Sequence, residues 1–210
     1  MNSQIKNTII KIRHLYIRVT NLYYELVNLT NMRLLGVKFG KCCIVHGRMY
    51  LDTGRNSSVT IGNHFCSLNG RSLNPLSRNV RGTIKVNDGG ILHIGDYVGI
   101  SSSVIWVHNK INIGNHVNIG ANTMIMDSDA HSLSYVHRRN IKEDMQNKKD
   151  SPIKIEDDVL IGANSIILKG VTIGKRTIIG AGSVVTKSIP SDCVAAGNPC
   201  RVIKSLIEEK

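Results

Sequence analysis

The sequence predicts a mainly β fold: a parallel β-helix of hexapeptide repeats, preceded by one α-helix and interrupted by one long loop. Three observations predict it. Ile155, Ile161, Ile167, Ile173, Ile179 and Val185 stand at a strict six-residue spacing. Near the N-terminus, Ile5, Ile9, Ile12, Tyr16, Val19, Tyr23 and Leu26 recur at alternating spacings of four and three. Between Ile125 and Ile153 the repeat is lost in a polar, charged stretch.

The N-terminal stripe comes first along the chain. Its period is helical, so residues 2–32 are expected to form a helix, within an N-terminal segment of residues 1–40. Residues 1–41 carry seven Lys/Arg and a single acid, Glu25. Two uses of the stripe stay open. It packs against the β-helix or its symmetry mates, as its narrow, heptad-like spacing suggests, or it lies on a membrane surface as a peripheral contact.

The six-residue ladder defines the main domain, residues 41–205. A helix cannot use it, because six steps of about 100° put i and i+6 on different faces. One unbroken strand would be far too long. Short strands separated by corners solve the problem, and three sides close a triangular coil of about eighteen residues. Ile155 then stacks on Ile173, and Ile161 on Ile179. Four places after each rung come the small or β-branched Val159, Ser165, Val171, Thr177, Ser183 and Ile189. Gly and Asn are expected at the corners, since both tolerate positive φ. A second block lies upstream: Ile94 and Ile100 are six apart, as are Ile113, Ile119 and Ile125. One residue too many separates Ile100 from Ile113, which predicts a bulged coil near Trp106–Lys110. Weaker matches reach back through Ile61 towards Ile44. Six or seven coils would span roughly 30 Å at the strand spacing.

The solenoid is expected to break once, at residues 126–152. Long insertions in compact domains are usually functional or disordered. This one opens with Asp127, Asp129 and His131, and its charged second half reads as a solvated segment. Residues 206–210 read as a short tail.

Composition sets outer limits. The chain has 210 residues and 4% aromatics, which suits a narrow core of Ile, Val and Ala. The five cysteines are odd in number and form no C-x-x-C pair, as expected of small apolar residues in a reducing compartment. No signal peptide or membrane-spanning run is evident, so a cytoplasmic protein is expected. The net charge of +12 is spread along the chain without a nucleic-acid-binding motif. It suits a polyanionic small ligand or an acidic membrane surface, and no nucleic-acid partner is expected.

Three stretches carry a resemblance to a known family: I-G-A-N-S-I-I-L-K-G-V-T-I-G from Ile161 to Gly174, I-G-A-G-S-V-V-T-K from Ile179 to Lys187, and A-A-G-N-P-C-R-V-I-K from Ala195 to Lys204. With the D-x-D-x-H of Asp127–His131, they resemble the left-handed β-helix acyltransferases. The likeness is to the sugar O-acetyltransferases related to maltose and galactoside acetyltransferases and to polysaccharide-modifying enzymes. It covers roughly residues 60–205. It implies a left-handed coil, a homotrimer, and acetyl-CoA held between neighbouring solenoids. It implies a catalytic histidine where the loop leaves the coil, here His131. The acyl-CoA groove falls on Ala163, Ala181, Thr186, Lys187, Arg201 and Lys204. The asparagine the family carries about thirty residues before its histidine is absent, with Ile100 and Ser101 in its place, so acceptor contacts must differ.

Acetyl transfer to a hydroxyl needs a base for the alcohol proton and a donor for the oxyanion. A neutral imidazole suits the first, and a corner N–H such as that of Ala163 suits the second. Asp129 or Asp127 would orient the imidazole, or else cap the loop. Ser101, Trp106 and Asn109, with Ser102, His108 and Asp127, are candidates for a sugar or glycan acceptor. Trp106 would stack on the sugar or simply cover the bulge. Lys187, Arg201 and Lys204 could pair with CoA phosphates or form a solvated basic edge. No metal is expected. Enzymes resembling γ-class carbonic anhydrases need three histidines meeting across a trimer interface, and His108/His116 and His131/His137 are wrongly spaced. The expectation is an acetyl-CoA-dependent sugar O-acetyltransferase. The alternatives are a non-catalytic scaffold, or an acyltransferase acting on an amino sugar or serine.

Overall fold

The structure, a computed structural model, describes residues 3–70, 72–77 and 80–206. Residues 1 and 2 of the N-terminal segment, and all of the expected tail except Leu206, lie outside the described residues. Three parallel sheets form the three sides of a coil. The first runs from Lys38–Phe39 to Thr172–Ile173, the second from Ile44–His46 to Cys193–Ala196, and the third from Met49–Thr53 to Val184–Val185. The chain visits the sheets in turn, completing six coils, and the second sheet ends in an antiparallel strand, Arg201–Ser205. This is the expected mainly β, left-handed parallel β-helix with an N-terminal helix and a loop insertion.

The rungs stack in the predicted register: Ile155 on Ile173, Ile161 on Ile179, Ile167 on Val185. All six are at most 1% exposed, and each side chain buried this way contributes roughly 1.5–3 kcal/mol gross. The buried hydroxyls of the i+4 positions are bonded within the coil. Ser165 Oγ donates to Gly162 O at 2.8 Å, and Thr177 Oγ1 donates to Pro190 O at 2.6 Å. At Gly162 the coils approach so closely that a Cβ would lie 2.4 Å from Ala181 N. That spacing explains the glycine after the rung.

The Gly/Asn expectation holds on two edges, with positive φ at Gly47, Asn122, Asn164 and Gly182 between the second and third sheets and at Asn56, Gly89 and Gly170 between the third and first, and it fails on the remaining edge. Along the edge joining the first sheet to the second, Cys42, His64, Tyr97, His116, Asp158, Arg176 and Asp192 all adopt positive φ. The corner geometry imposes this conformation at a cost of roughly 1–2 kcal/mol for a residue with a Cβ. Stacking from coil to coil offsets part of it. The His64, Tyr97 and His116 rings lie 4.5 and 4.9 Å apart and nearly parallel, and Arg176 pairs with Asp192 through two bonds.

The bulged coil is present, and its anatomy is finer than its arithmetic. Ile119 pairs with Ile100 and Ile113 with Ile94, but the rung between them is Ile105. The corner before Ile105 is one residue short, with buried Ser102 at φ 43°, and the following one is two residues long. The excess of one residue is the sum of these.

The solenoid breaks twice, not once. A first excursion leaves the second sheet after Leu68 and returns at Gly82, and Leu76 O there accepts from Asn122 Nδ2 at 2.7 Å. The second is the expected 126–152 insertion, which is folded although most of its charged second half is exposed to solvent, as expected. Its base closes as an antiparallel bridge between Ser128 and Asp150. Beyond a turn at His137–Arg139 lies α2, Ile141–Asn147, whose N-cap Asn140 accepts from the N–H groups of Lys142 and Glu143.

Helix α1 spans Ser3–Leu34. Only its last turns pack on the solenoid. Met32 is buried, Asn28 Nδ2 donates to Val45 O and Gly47 O, and Glu25 pairs with His46 at 3.0 Å. None of the described helices is long and apolar enough to cross a membrane.

Candidate active site

The 126–152 insertion leaves the edge where the third sheet turns back to the first. This edge also carries the lengthened corner of the bulged coil, His108–Asn109. Asp127 joins the two. Its carboxylate is fully buried and accepts from the backbone N–H groups of His108, Asn109 and Lys110 at 2.7, 2.8 and 2.6 Å. Three charge-assisted bonds in a buried setting make it the anchor of the bulge. Of the uses expected for Asp127, on the substrate, on the imidazole or as a cap on the backbone, it takes the capping one.

His131 stands four residues beyond that anchor, with its side chain 68% exposed. The carboxylate that holds it is neither Asp127 nor Asp129. Asp144, on α2, places Oδ2 2.6 Å from His131 Nδ1, while its Oδ1 accepts from Ser132 N–H at 2.7 Å. The hydrogen bond from the imidazole, then that from Ser132, hold the Asp144 carboxyl below its ordinary range. An ionised carboxylate can only accept, so the proton of a neutral His131 sits on Nδ1. Nε2 is left with its lone pair free to take a proton. Asp129 turns instead to Lys169, one coil on, at 3.2 Å, and its other oxygen is buried without a partner.

On the same edge, towards the N-terminus, lies a cleft of about 530 Å³ lined by Asp52, Lys85, Asn87, His108, Lys148 and Asp150. Trp106 Nε1–H donates to Asn87 Oδ1 at 3.0 Å, which turns the Asn87 amide towards His108 Nδ1, also at 3.0 Å. Nδ1 is then the acceptor, and the His108 proton resides on Nε2. Burial, then the charge of Lys148, push the His108 imidazole below its ordinary value, so it is held neutral. His108 Nε2 and Asp150 Oδ1 are both buried without a hydrogen-bond partner. Trp106 is half-buried and packs on His108 at 4.8 Å between ring centroids.

The other expected residues are dispersed. Asn109 is exposed at the bulge, with its N–H on Asp127. Ser101 lies apart from Trp106, on the second sheet, in a shallow apolar groove with Leu68 and Leu160. Ala163 and Ala181 stack at the edge between the second and third sheets, whereas Thr186 and Lys187 sit at the His131 edge. Arg201 and Lys204 are on the exposed terminal strand. A single chain does not bring Ala163 to His131, because the third sheet separates their edges. Sequence reasoning missed Asp144, Asn87 and Asp150. For Asp144 the one available signal was an acid in the first turn of a helix opened by Asn140. Among the described residues no cluster suits a metal ion.

Comparison with known proteins places this geometry. Residues 152–187 match the family model described as the hexapeptide repeat of succinyl-transferase. A 2,3,4,5-tetrahydropyridine-2,6-dicarboxylate N-acetyltransferase of Staphylococcus aureus is 57% identical over 58 residues, 28% of this chain and 24% of that relative. The chain thus matches about a quarter of the length of its curated relatives. A hexapeptide-repeat-containing acetyltransferase of Vibrio cholerae, solved with acetyl coenzyme A, is 30% identical, with 75% of this chain and 72% of that one covered and a TM-score of 0.50. Another structure of the Vibrio protein aligns over 99% of this chain and 95% of its own, at 25% identity and a TM-score of 0.58. By its repeat, its coil and this extended similarity, the chain belongs to the hexapeptide-repeat acetyltransferases.

Proposed function

We propose that the protein transfers an acetyl group from acetyl-CoA to a sugar hydroxyl, with His131 as general base. The His131–Asp144 pair carries this reading. With Nδ1–H held by Asp144, Nε2 is the acceptor that a hydroxyl proton needs. As the hydroxyl oxygen attacks the thioester carbonyl, its proton passes to Nε2. The C–O bond forms, the C–S bond then breaks, and the thiolate takes the proton back from the imidazolium. Asp144 stabilises that imidazolium without being protonated itself. The acetyl-CoA complex of the Vibrio relative supports the choice of donor.

The cleft around His108 is the proposed acceptor site. It lies on the His131 edge, is lined by carboxylates, amide and imidazole, and abuts the Trp106 ring, a set that suits a polyhydroxylated ligand. Ala163 and Ala181 lie on a different edge from His131, so a groove combining them takes more than one copy. This supports the proposed homotrimer, with the oxyanion donor and part of the CoA site on the neighbouring solenoid. Thr186, Lys187, Arg201 and Lys204 are proposed for CoA, the three cations facing its phosphates.

A second reading, transfer to an amine, is favoured by the similarity of the repeat region to a protein named as an N-acetyltransferase. Free-thiol release from acetyl-CoA, measured against neutral saccharides, amino sugars and serine, separates the two. The first reading expects release with saccharides lacking an amine, lost by at least about a hundredfold in His131→Ala with CoA binding retained. Release with amines alone supports the second. Normal turnover in His131→Ala contradicts the mechanism.

A further inference from the structure

Most of α1 is not engaged by the solenoid. Asn28 and Met32 mark its docked side. At about 100° per residue, the stripe of Ile5, Ile9, Ile12, Tyr16, Val19 and Tyr23 lies roughly opposite that side. It therefore points away from its own β-helix. Those six residues are 53–68% exposed, and Leu15 and Leu22, at 62% and 71%, widen the apolar face on one flank.

The charges beside the stripe are of one sign. Lys6 and Arg13 border one flank; Lys11 and Arg18 lie beyond the other. The only acid on the helix is Glu25, which is occupied by His46. A bundle of identical helices would bring these cations together with no carboxylate to answer them. The face is also broader than the two-position seam of a coiled coil. A wide apolar face bordered on both flanks by Lys and Arg, with two tyrosines on it, fits the boundary between lipid headgroups and acyl chains.

We propose that this face of α1 seats the protein on an anionic lipid surface, with the helix lying in the plane of the interface. The opposite side of the helix then holds the β-helix above that surface. The proposal stands apart from the transfer reading, because it needs neither acetyl-CoA nor His131.

The test is flotation of the full chain with phosphatidylcholine vesicles and with vesicles containing phosphatidylglycerol. Binding is expected with the second kind only, and is expected to fall as salt rises. The double variant Ile12→Glu/Val19→Glu should bind at least about tenfold more weakly. A variant with Lys6, Lys11, Arg13 and Arg18 changed to Gln should lose the preference for anionic vesicles. All six positions are exposed, and circular dichroism with melting curves shows that the variants stay folded. No binding by the intact chain, or equal binding to both vesicle types, would overturn the proposal. Sedimentation velocity gives the other contrary outcome: a stripe variant with unchanged vesicle binding but a smaller assembly would assign the face to a second copy.

Discussion

The coils from Ile153 to Val185 and the edge that carries His108 and His131 share one backbone plan and use it differently. In the coils every rung repeats the one beneath it, and buried hydroxyls close the corner carbonyls. At the edge one corner is lengthened, the chain departs for a folded insertion, and buried polar atoms at His108, Asp129 and Asp150 are left without partners. A repeat of this kind buries its core through identity of neighbours, and a site needs residues that differ from their neighbours. Asp127 reconciles the two by closing the irregular corner on a buried carboxylate.

If that division holds, damage to the anchor should exceed damage to a rung. Asp127→Ala takes the buried acceptor from three partly buried N–H groups and is expected to cost about 3–5 kcal/mol, with loss of activity as the edge reorganises. Urea unfolding and thiol release measure both. Ile161→Ala should cost about 2–5 kcal/mol in the same unfolding experiment, while the turnover of the folded protein stays near wild type. The acid range sharpens the contrast. Asp144 has its carboxyl held below its ordinary 3.8, so its contribution is present above that value and lost as pH falls through the lowered pKa. The difference in melting temperature between wild type and Asp144→Asn should therefore shrink as pH falls below 3.8. The smallest effect belongs to the corner pair of exposed Arg176 and partly buried Asp192, where Arg176→Gln should change melting by little.

The rungs were legible because a six-residue period is a local property, and Ile155, Ile161 and Ile167 state it without reference to anything distant. The excess residue near Trp106 was legible too, but only as a sum, since spacing cannot tell a short corner followed by a long one from a single bulge. The excursion between Leu68 and Gly82 carries no repeat and sits among weak matches, so nothing in the pattern marked it. His131 stood out by its place at the loop. Its partner did not, because Asp144 reaches it through a turn and α2, in a stretch whose charge reads as solvation. The two uses left open for Asp127 could not be separated for a related reason: a carboxylate beside a candidate base looks the same in sequence whether it faces the imidazole or caps three backbone N–H groups.

The pairing of His131 with Asp144 is the centre of the account, and kcat for acetyl transfer in Asp144→Asn tests it most directly. Asparagine keeps an oxygen for the Ser132 N–H but turns an amide towards Nδ1, which moves the imidazole proton to Nε2 and removes the base. The account predicts a fall in kcat of about 10²–10⁴ with CoA affinity unchanged. A kcat within about twofold of wild type would show that Asp144 holds the loop and nothing more.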